Sequence, residues 1–491
     1  MTPPVELREP GDLDLAALER IADGAEVRLD PGLLERVDRL RQEMLAVLAA
    51  DPGAVYGVGT GTGYLAGVRL GSDDEARHQR GLLLGRAVGS PPYLPPGEAR
   101  ALVAARLVNF LSGHSGVSAS LCAFLADRLN DGFVPAVPRA SAGSAGEVIA
   151  LSHAFQTVLG VGWVIRPDGT PEEAAAALAA RGAAPYAPLA KEGIALLAGA
   201  PGTIAVAMAR RRAAAALARQ LLVSAACATD AIGAPRDPYA AAVGRLSADP
   251  VLARTLEAFR ALVGEAGEGR GRQAPVSFRA APEALAHLER TIARLGRDLE
   301  RALGSVTDSP AFVDGRFHST GGFHAIALAA GMDGLAAALA HAGELAAQRV
   351  HRLLDGRFSG LPDQLTPAPG PRCGLVVVHK RMVGALNELR RLAVPAALGV
   401  ADTSLGQEDG MTFSFAAAEK LRRAEDLVRE LVACELLTAR QAWWLRGARP
   451  APGLAGVAAR LAAAVAPVDE DRPLGPDIDA LAGLLRDGAV G

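Results

Sequence analysis

Four stretches late in the chain, 281–304, 324–355, 372–395 and 413–439, repeat Ala and Leu at helical spacing. Small side chains let helix axes approach closely, so these stretches predict a bundle of long packed helices. Only 4% of the residues are aromatic against 50% hydrophobic, so the core must be aliphatic. A length of 491 residues allows about three domains by size alone. The organisation expected here is an N-terminal domain over 1–200 and a long-helix bundle over 201–491. The Ala-rich run from Thr203 to Ala228 is broken by Arg210, Arg211 and Arg212. It is expected to be a buried bundle helix and not a membrane span.

Upstream, 13–22 and 31–50 read as amphipathic helices. The second carries an apolar stripe of Leu34, Val37, Leu40, Met44 and Leu48. Pro52 and Gly53 then stop it. Helices over 98–112 and 118–130 are expected on either side of the turn Gly113–Val117. The stretch Pro138–Gly160 opens with six small residues, Ala140 to Ala145. It turns helical where Val148, Leu151, Phe155 and Leu159 recur. Glu147 stands at the start of that helix, where a carboxylate complements the dipole. A small-residue loop feeding a helix N-terminus suits developing negative charge.

A net charge of −3 gives no electrostatic case for nucleic acid or an anionic membrane as partner. Cys122, Cys227, Cys373 and Cys434 are far apart and lack metal-ligand spacing. They are expected to be free thiols in a reducing cytoplasm, with no metal. The first residues have no basic region and no apolar core, so no signal peptide is expected. The glycine-alternating loop Tyr56-Gly-Val-Gly-Thr-Gly-Thr-Gly63 is not a phosphate cradle, because no Gly-Lys-Ser/Thr ending follows. Its glycines instead let backbone approach a ligand closely.

Taken in order, the Tyr56 loop, Gly113-His-Ser-Gly-Val117 and Pro138–Gly160 resemble the histidine and phenylalanine ammonia-lyase family. Later stretches agree: Lys191-Glu-Gly-Ile-Ala-Leu196, Arg236-Asp-Pro-Tyr239, Gly321-Gly-Phe-His324, Ser359-Gly-Leu-Pro362 and Gln407-Glu-Asp409. The resemblance covers nearly the whole chain. Each motif alone is weak, and their shared order carries the likeness. It implies a mainly α fold of the ammonia-lyase type with a long-helix bundle. It also implies a homotetramer whose active sites use several subunits, and a small-molecule substrate. By the same resemblance Tyr56 is the catalytic base, Tyr239 a second active-site tyrosine and Glu408 the active-site glutamate.

The departures from the family pattern bear on chemistry. The family makes its electrophile, a methylidene-imidazolone, by cyclising an Ala-Ser-Gly backbone and removing water from the serine. The aligned residues are Ser144-Ala145-Gly146. Ala145 has no hydroxyl to lose, so neither that group nor any other cofactor is expected. Arg86 replaces the family's active-site histidine and offers a planar donor fork to a carboxylate or phosphate. The family's carboxylate-gripping arginine is Ala242, leaving Arg86 or Arg236 to take its part. Ala198 and Gly322 stand where the family has asparagines. Phe323 can stack on a flat substrate, and His114 and Lys191 complete the substrate-binding candidates. A backbone-bonded structural role competes for His114. The function expected from this balance is a lyase or cyclase independent of the electrophile, working by tyrosine acid/base chemistry on an already activated small molecule of secondary metabolism. Ammonia release from histidine, phenylalanine or tyrosine is not expected. The alternative is a non-catalytic homologue serving as a binding or scaffold subunit.

Overall fold

Helices carry most of the computed structural model, which describes residues 3–50, 55–140, 142–265, 269–399 and 401–490. Pro52, Gly53 and Ser141 lie outside the described residues. The long Ala/Leu stretches form the helices Ala281–Leu303, Ile326–Leu353, Val376–Leu392 and Ser414–Arg446. The Ala-rich run forms the 32-residue helix Pro201–Ile232. Glu192–Ile232 and Gly322–Leu353 are both long and apolar enough to cross a membrane. Protein buries 89% of the most apolar window of the first, as expected of a core helix, and 50% of the second.

The chain forms two compact units, each assembled from separate stretches. The first comprises Met1–Arg210, Leu295–Met332 and Ala396–Glu419; the second comprises Arg211–Arg294, Asp333–Pro395 and Lys420–Gly491. The expected division at 200/201 is contiguous, whereas these units interleave. The reason is that most divisions fall inside long helices, including Pro201–Ile232 and Ser414–Arg446.

In the first unit the helix Pro96–Leu111 is buried from Glu98 onward except at Arg100. Glu98 tolerates this because it is paired, accepting from Arg210 at 2.9 Å. The helix Pro31–Ala50 is turned slightly from its expected stripe. Leu34 and Leu40 are half-buried, while Leu33 and Arg41 are buried with Val37, Met44 and Leu48. Arg41 lies inward because it donates to the carbonyls of Gly116 and Ala190. Short two-stranded ribbons, which helical periodicity does not reveal, add to this unit. Val5–Leu7 pairs in parallel with Val27–Leu29, and Trp163–Ile165 and Ala311–Val313 pair antiparallel with Pro171–Glu173 and Arg316–His318.

The second unit has the aliphatic core that composition demands, with Leu386, Leu389, Val428 and Leu431 all buried. Inside it Arg349 pairs with Glu435 at 2.5 Å, and Glu435 also accepts from the Ser224 hydroxyl at 2.7 Å. That satisfies a carboxylate that would otherwise be costly to bury.

Candidate active site

A cavity of about 490 Å³ opens in the first unit, where the small-residue loop meets the Tyr56 loop. Tyr56, Arg86, Ala145, Gly146, Glu147, Phe323 and Glu408 line it, with Ala198, Ser309 and Ser404 among the remaining walls. Exposed Tyr64 and Leu65 form part of its rim.

The Tyr56 loop is held by its own backbone and by a neighbouring helix. The Tyr56 hydroxyl oxygen accepts from the Gly63 N–H at 2.9 Å. Gln79, on the helix Ser72–Leu84, donates to the Gly57 carbonyl at 2.9 Å and accepts from the Ile194 N–H at 3.1 Å. One buried amide therefore ties this loop to the helix Glu192–Leu197. Arg86 follows the end of the helix Ser72–Leu84. Its guanidinium donates to Thr62 Oγ1 at 2.6 Å and to the Leu82 carbonyl at 3.3 Å. Burial lowers its pKa, opposed by the nearby Tyr56 and Glu408.

Glu408 reaches the small-residue loop directly. Its Oε2 accepts from the Ala145 N–H at 3.0 Å and from Thr403 Oγ1 at 3.0 Å, and its Oε1 accepts from Ser404 Oγ at 3.0 Å. In the loop, Ser144 Oγ donates to the Gly146 carbonyl at 3.3 Å. Gly146 turns the chain at φ +75°, and a Cβ there would come within 3.4 Å of the Phe323 ring. Glycine at this position thus supplies the left-handed turn, directly against the aromatic wall.

The remaining candidates lie elsewhere. Lys191 does not reach the cavity: it is fully buried and pairs with Asp308 at 3.1 Å. Its removal from water lowers its pKa, with Asp308 opposing. His114 is half-buried, its Nδ1 bonded to the Phe312 carbonyl at 2.9 Å, the backbone role that competed for it. Tyr239 belongs to the second unit. Its ring packs on Phe259 at 4.5 Å between centroids, and its hydroxyl donates to the Phe278 carbonyl at 3.1 Å. Arg236, in the same unit, donates to Asp230 at 2.9 Å, and Asp230 also accepts from the Trp443 indole at 2.9 Å. None of these four lines the cavity. Each makes at least one polar contact of its own away from the cavity.

Glu147 is the cavity residue that helical periodicity assigns to another task. It precedes the helix Val148–Gln156 but makes no side-chain cap there. Its carboxylate instead accepts from the Gly202 and Thr203 N–H groups, the first turn of the helix Pro201–Ile232. The charge–dipole principle holds, with a different helix as its object. A carboxylate directly after a small-residue loop was the available signal.

The aromatic amino acid lyase model matches residues 13–466. The histidine ammonia-lyase of Streptomyces griseus is 36% identical over 97% of this chain and 95% of its own length. Other histidine ammonia-lyases align at 32–34% identity. The solved histidine ammonia-lyase of Trypanosoma cruzi superposes with a TM-score of 0.87 at 26% identity, covering 97% of this chain and 92% of its own. Ergothionase from Treponema denticola superposes at 0.94 over 99% of each chain, and at 23% identity it shows the fold alone. The relatives overturn two expectations. Neither a lyase or cyclase outside ordinary ammonia elimination nor a scaffold subunit agrees with kinship to ammonia-lyases along nearly the full length. The substitutions at Ala145, Ala198, Ala242 and Gly322, which favour a scaffold when read alone, stand in a chain whose relatives are ammonia-lyases. With the mainly helical fold and the motif order, the match establishes that the chain belongs to the aromatic amino acid lyase family.

Proposed function

We propose that this protein is an ammonia-lyase acting on an amino acid with a flat unsaturated side chain, with histidine the first candidate. The products are the α,β-unsaturated acid, urocanate for histidine, and ammonium. The observation that carries this reading is the gathering of Tyr56, Arg86, Phe323 and Glu408 around one cavity in a chain with these relatives.

Roles follow from donor and acceptor inventories. Arg86 uses two of its donors on Thr62 and Leu82, leaving others for the substrate carboxylate. Glu408 accepts three hydrogen bonds, and a carboxylate offers about four lone-pair sites. One site remains for the substrate ammonium. Phe323 faces the ring. Tyr56, as its phenolate, takes the β-proton; the C–H electron pair forms the double bond, the Cα–N pair leaves on nitrogen as ammonia, and Tyr56 returns its proton to solvent, where ammonia becomes ammonium.

The family's methylidene-imidazolone does not fit the residues present. Its formation needs a hydroxyl on the central residue, and Ala145 offers a methyl group. The Ala145 N–H is engaged with Glu408 as an ordinary amide. We therefore assign the loop as uncyclised and the elimination to side chains alone. A homotetramer and a cytoplasmic location belong to the same reading.

The test is to incubate the purified protein at high concentration with L-histidine and follow urocanate absorbance, with intact mass measured on the same preparation. Accumulating urocanate and an unmodified mass are expected. No urocanate from a folded preparation would overturn the substrate. A mass lower by the water lost in cyclisation would overturn the loop assignment.

A further inference from the structure

Glu147 is only 2% exposed, yet it lines the cavity beside Ala145 and Gly146. Both of its oxygens are clamped. Oε2 accepts from the Gly202 N–H at 2.7 Å and Oε1 from the Thr203 N–H at 2.5 Å. The clamp leaves no room for a side chain at residue 202. A Cβ there would lie 2.7 Å from Glu147 Oε2 and 2.8 Å from Phe415 Cζ. One residue away, Gly146 makes the turn that presents Ala145 to Glu408. The reactive loop is thus held at two points by two carboxylates: Glu408 grips its middle, and Glu147 ties its end to the first turn of the helix Pro201–Ile232.

We propose that Glu147 is a positioning residue for the elimination, its ionised carboxylate holding the loop 144–146 in register with Glu408 and with the cavity wall. This rests on the proposed ammonia-lyase function. Glu147 makes no assumption about the substrate's identity, because it touches the loop and not the reacting atoms.

The surroundings of Glu147 make this hold sensitive to pH. The helix Pro201–Ile232 gives it two backbone N–H groups and the Thr203 hydroxyl, and the helix Pro96–Leu111 gives it the buried Arg106. The helix Ser414–Arg446 gives it the apolar Phe415. Burial outweighs the favourable contacts and raises the pKa from 4.5 to about 7. Protonation of either oxygen weakens one of its two N–H bonds and loosens the loop. The folded protein binds this proton more tightly than the unfolded chain does. The stabilisation is therefore complete below pH 4.5 and lost as pH rises through about 7. Positioning of the site and stability thus run in opposite directions with pH.

Two measurements test this with the full-length protein. In the wild type kcat is expected to rise with pH through about 7, and Tm to fall over the same range. In Glu147→Gln both trends are expected to flatten, with kcat lowered about tenfold to a hundredfold by misplacement of the loop. Glu147→Asp keeps a titrating group and is expected to restore both trends in part. An unchanged Tm slope in Glu147→Gln would overturn the proposal, and that arm needs no substrate. If the wild type converts no histidine, the substrate is wrong, and the positioning role is read from the loop itself. Protection of the Ala145 amide from hydrogen exchange is expected to fall in Glu147→Gln, and unchanged protection would overturn it. Should Glu147→Gln not fold, Glu147→Asp decides: a shorter carboxylate still titrates but reaches the Gly202 and Thr203 N–H groups less well, so a lowered kcat is expected, and wild-type kcat overturns the proposal.

Discussion

At the scale of single residues, the cavity separates groups free to meet a substrate from groups already committed. Tyr56 has the geometry of a base, with its oxygen steadied by one N–H and its ring in the cavity wall. General base catalysis typically contributes about 10²–10⁴-fold. Tyr56→Phe is therefore expected to lower kcat by that order while Tm stays near wild type, since only one part-buried hydrogen bond is lost. Steady-state kinetics beside a thermal melt checks it. Conversion by Tyr56→Phe at the wild-type rate would remove Tyr56 from the mechanism. Tyr239 shows why a matching motif does not by itself locate a side chain. Its residue type agrees with the family, while its hydroxyl is spent on the Phe278 carbonyl and burial raises its pKa.

At the scale of elements, the walls of the cavity are segments distant in sequence, joined by buried polar ties. The tie between Lys191 and Asp308 links the start of the helix Glu192–Leu197 to the segment that brings Ser309 to the cavity. Asp308 also accepts from the Ser309 N–H at 2.8 Å. Both side chains are fully buried, so removing one leaves the other's charge stranded. Such losses cost about 3–5 kcal/mol. Asp308→Ala is expected to destabilise the protein by that amount in denaturant unfolding. A cost below about 1 kcal/mol would match an exposed pair instead and refute the tie. Lys191 is thus a structural cation, although its motif placed it among substrate-binding candidates.

At the scale of the whole molecule, apolar surface remains on the described residues. Val88, Leu246, Leu398 and Leu405 are each more than two-thirds exposed, and half of the apolar window in Gly322–Leu353 is uncovered. A half-uncovered apolar stretch along one long helix favours association with further copies. A homotetramer is the expected state, and light scattering at micromolar concentration checks it. A stable monomer there would count against both the assembly and any site shared between copies.

The sequence by itself determined the long helices, the aliphatic core and the order of motifs that marks the family. Helical periodicity and Ala/Leu spacing are local properties, and local properties survive translation into structure. It also determined that Ala145 carries no hydroxyl, a fact that no fold can alter. Only the tertiary structure decided which candidates face the cavity. Arg86, Phe323 and Glu408 line it beside Tyr56, while Lys191, His114, Tyr239 and Arg236 are engaged elsewhere. Those choices depend on partners far away in sequence, such as Asp308 for Lys191 and Phe312 for His114. The same holds for Glu147. Its charge and its place after the small-residue loop are local, but the helix it caps begins more than fifty residues later, at Pro201. Burial and pairing are decided where distant segments meet, and periodicity carries no record of that meeting.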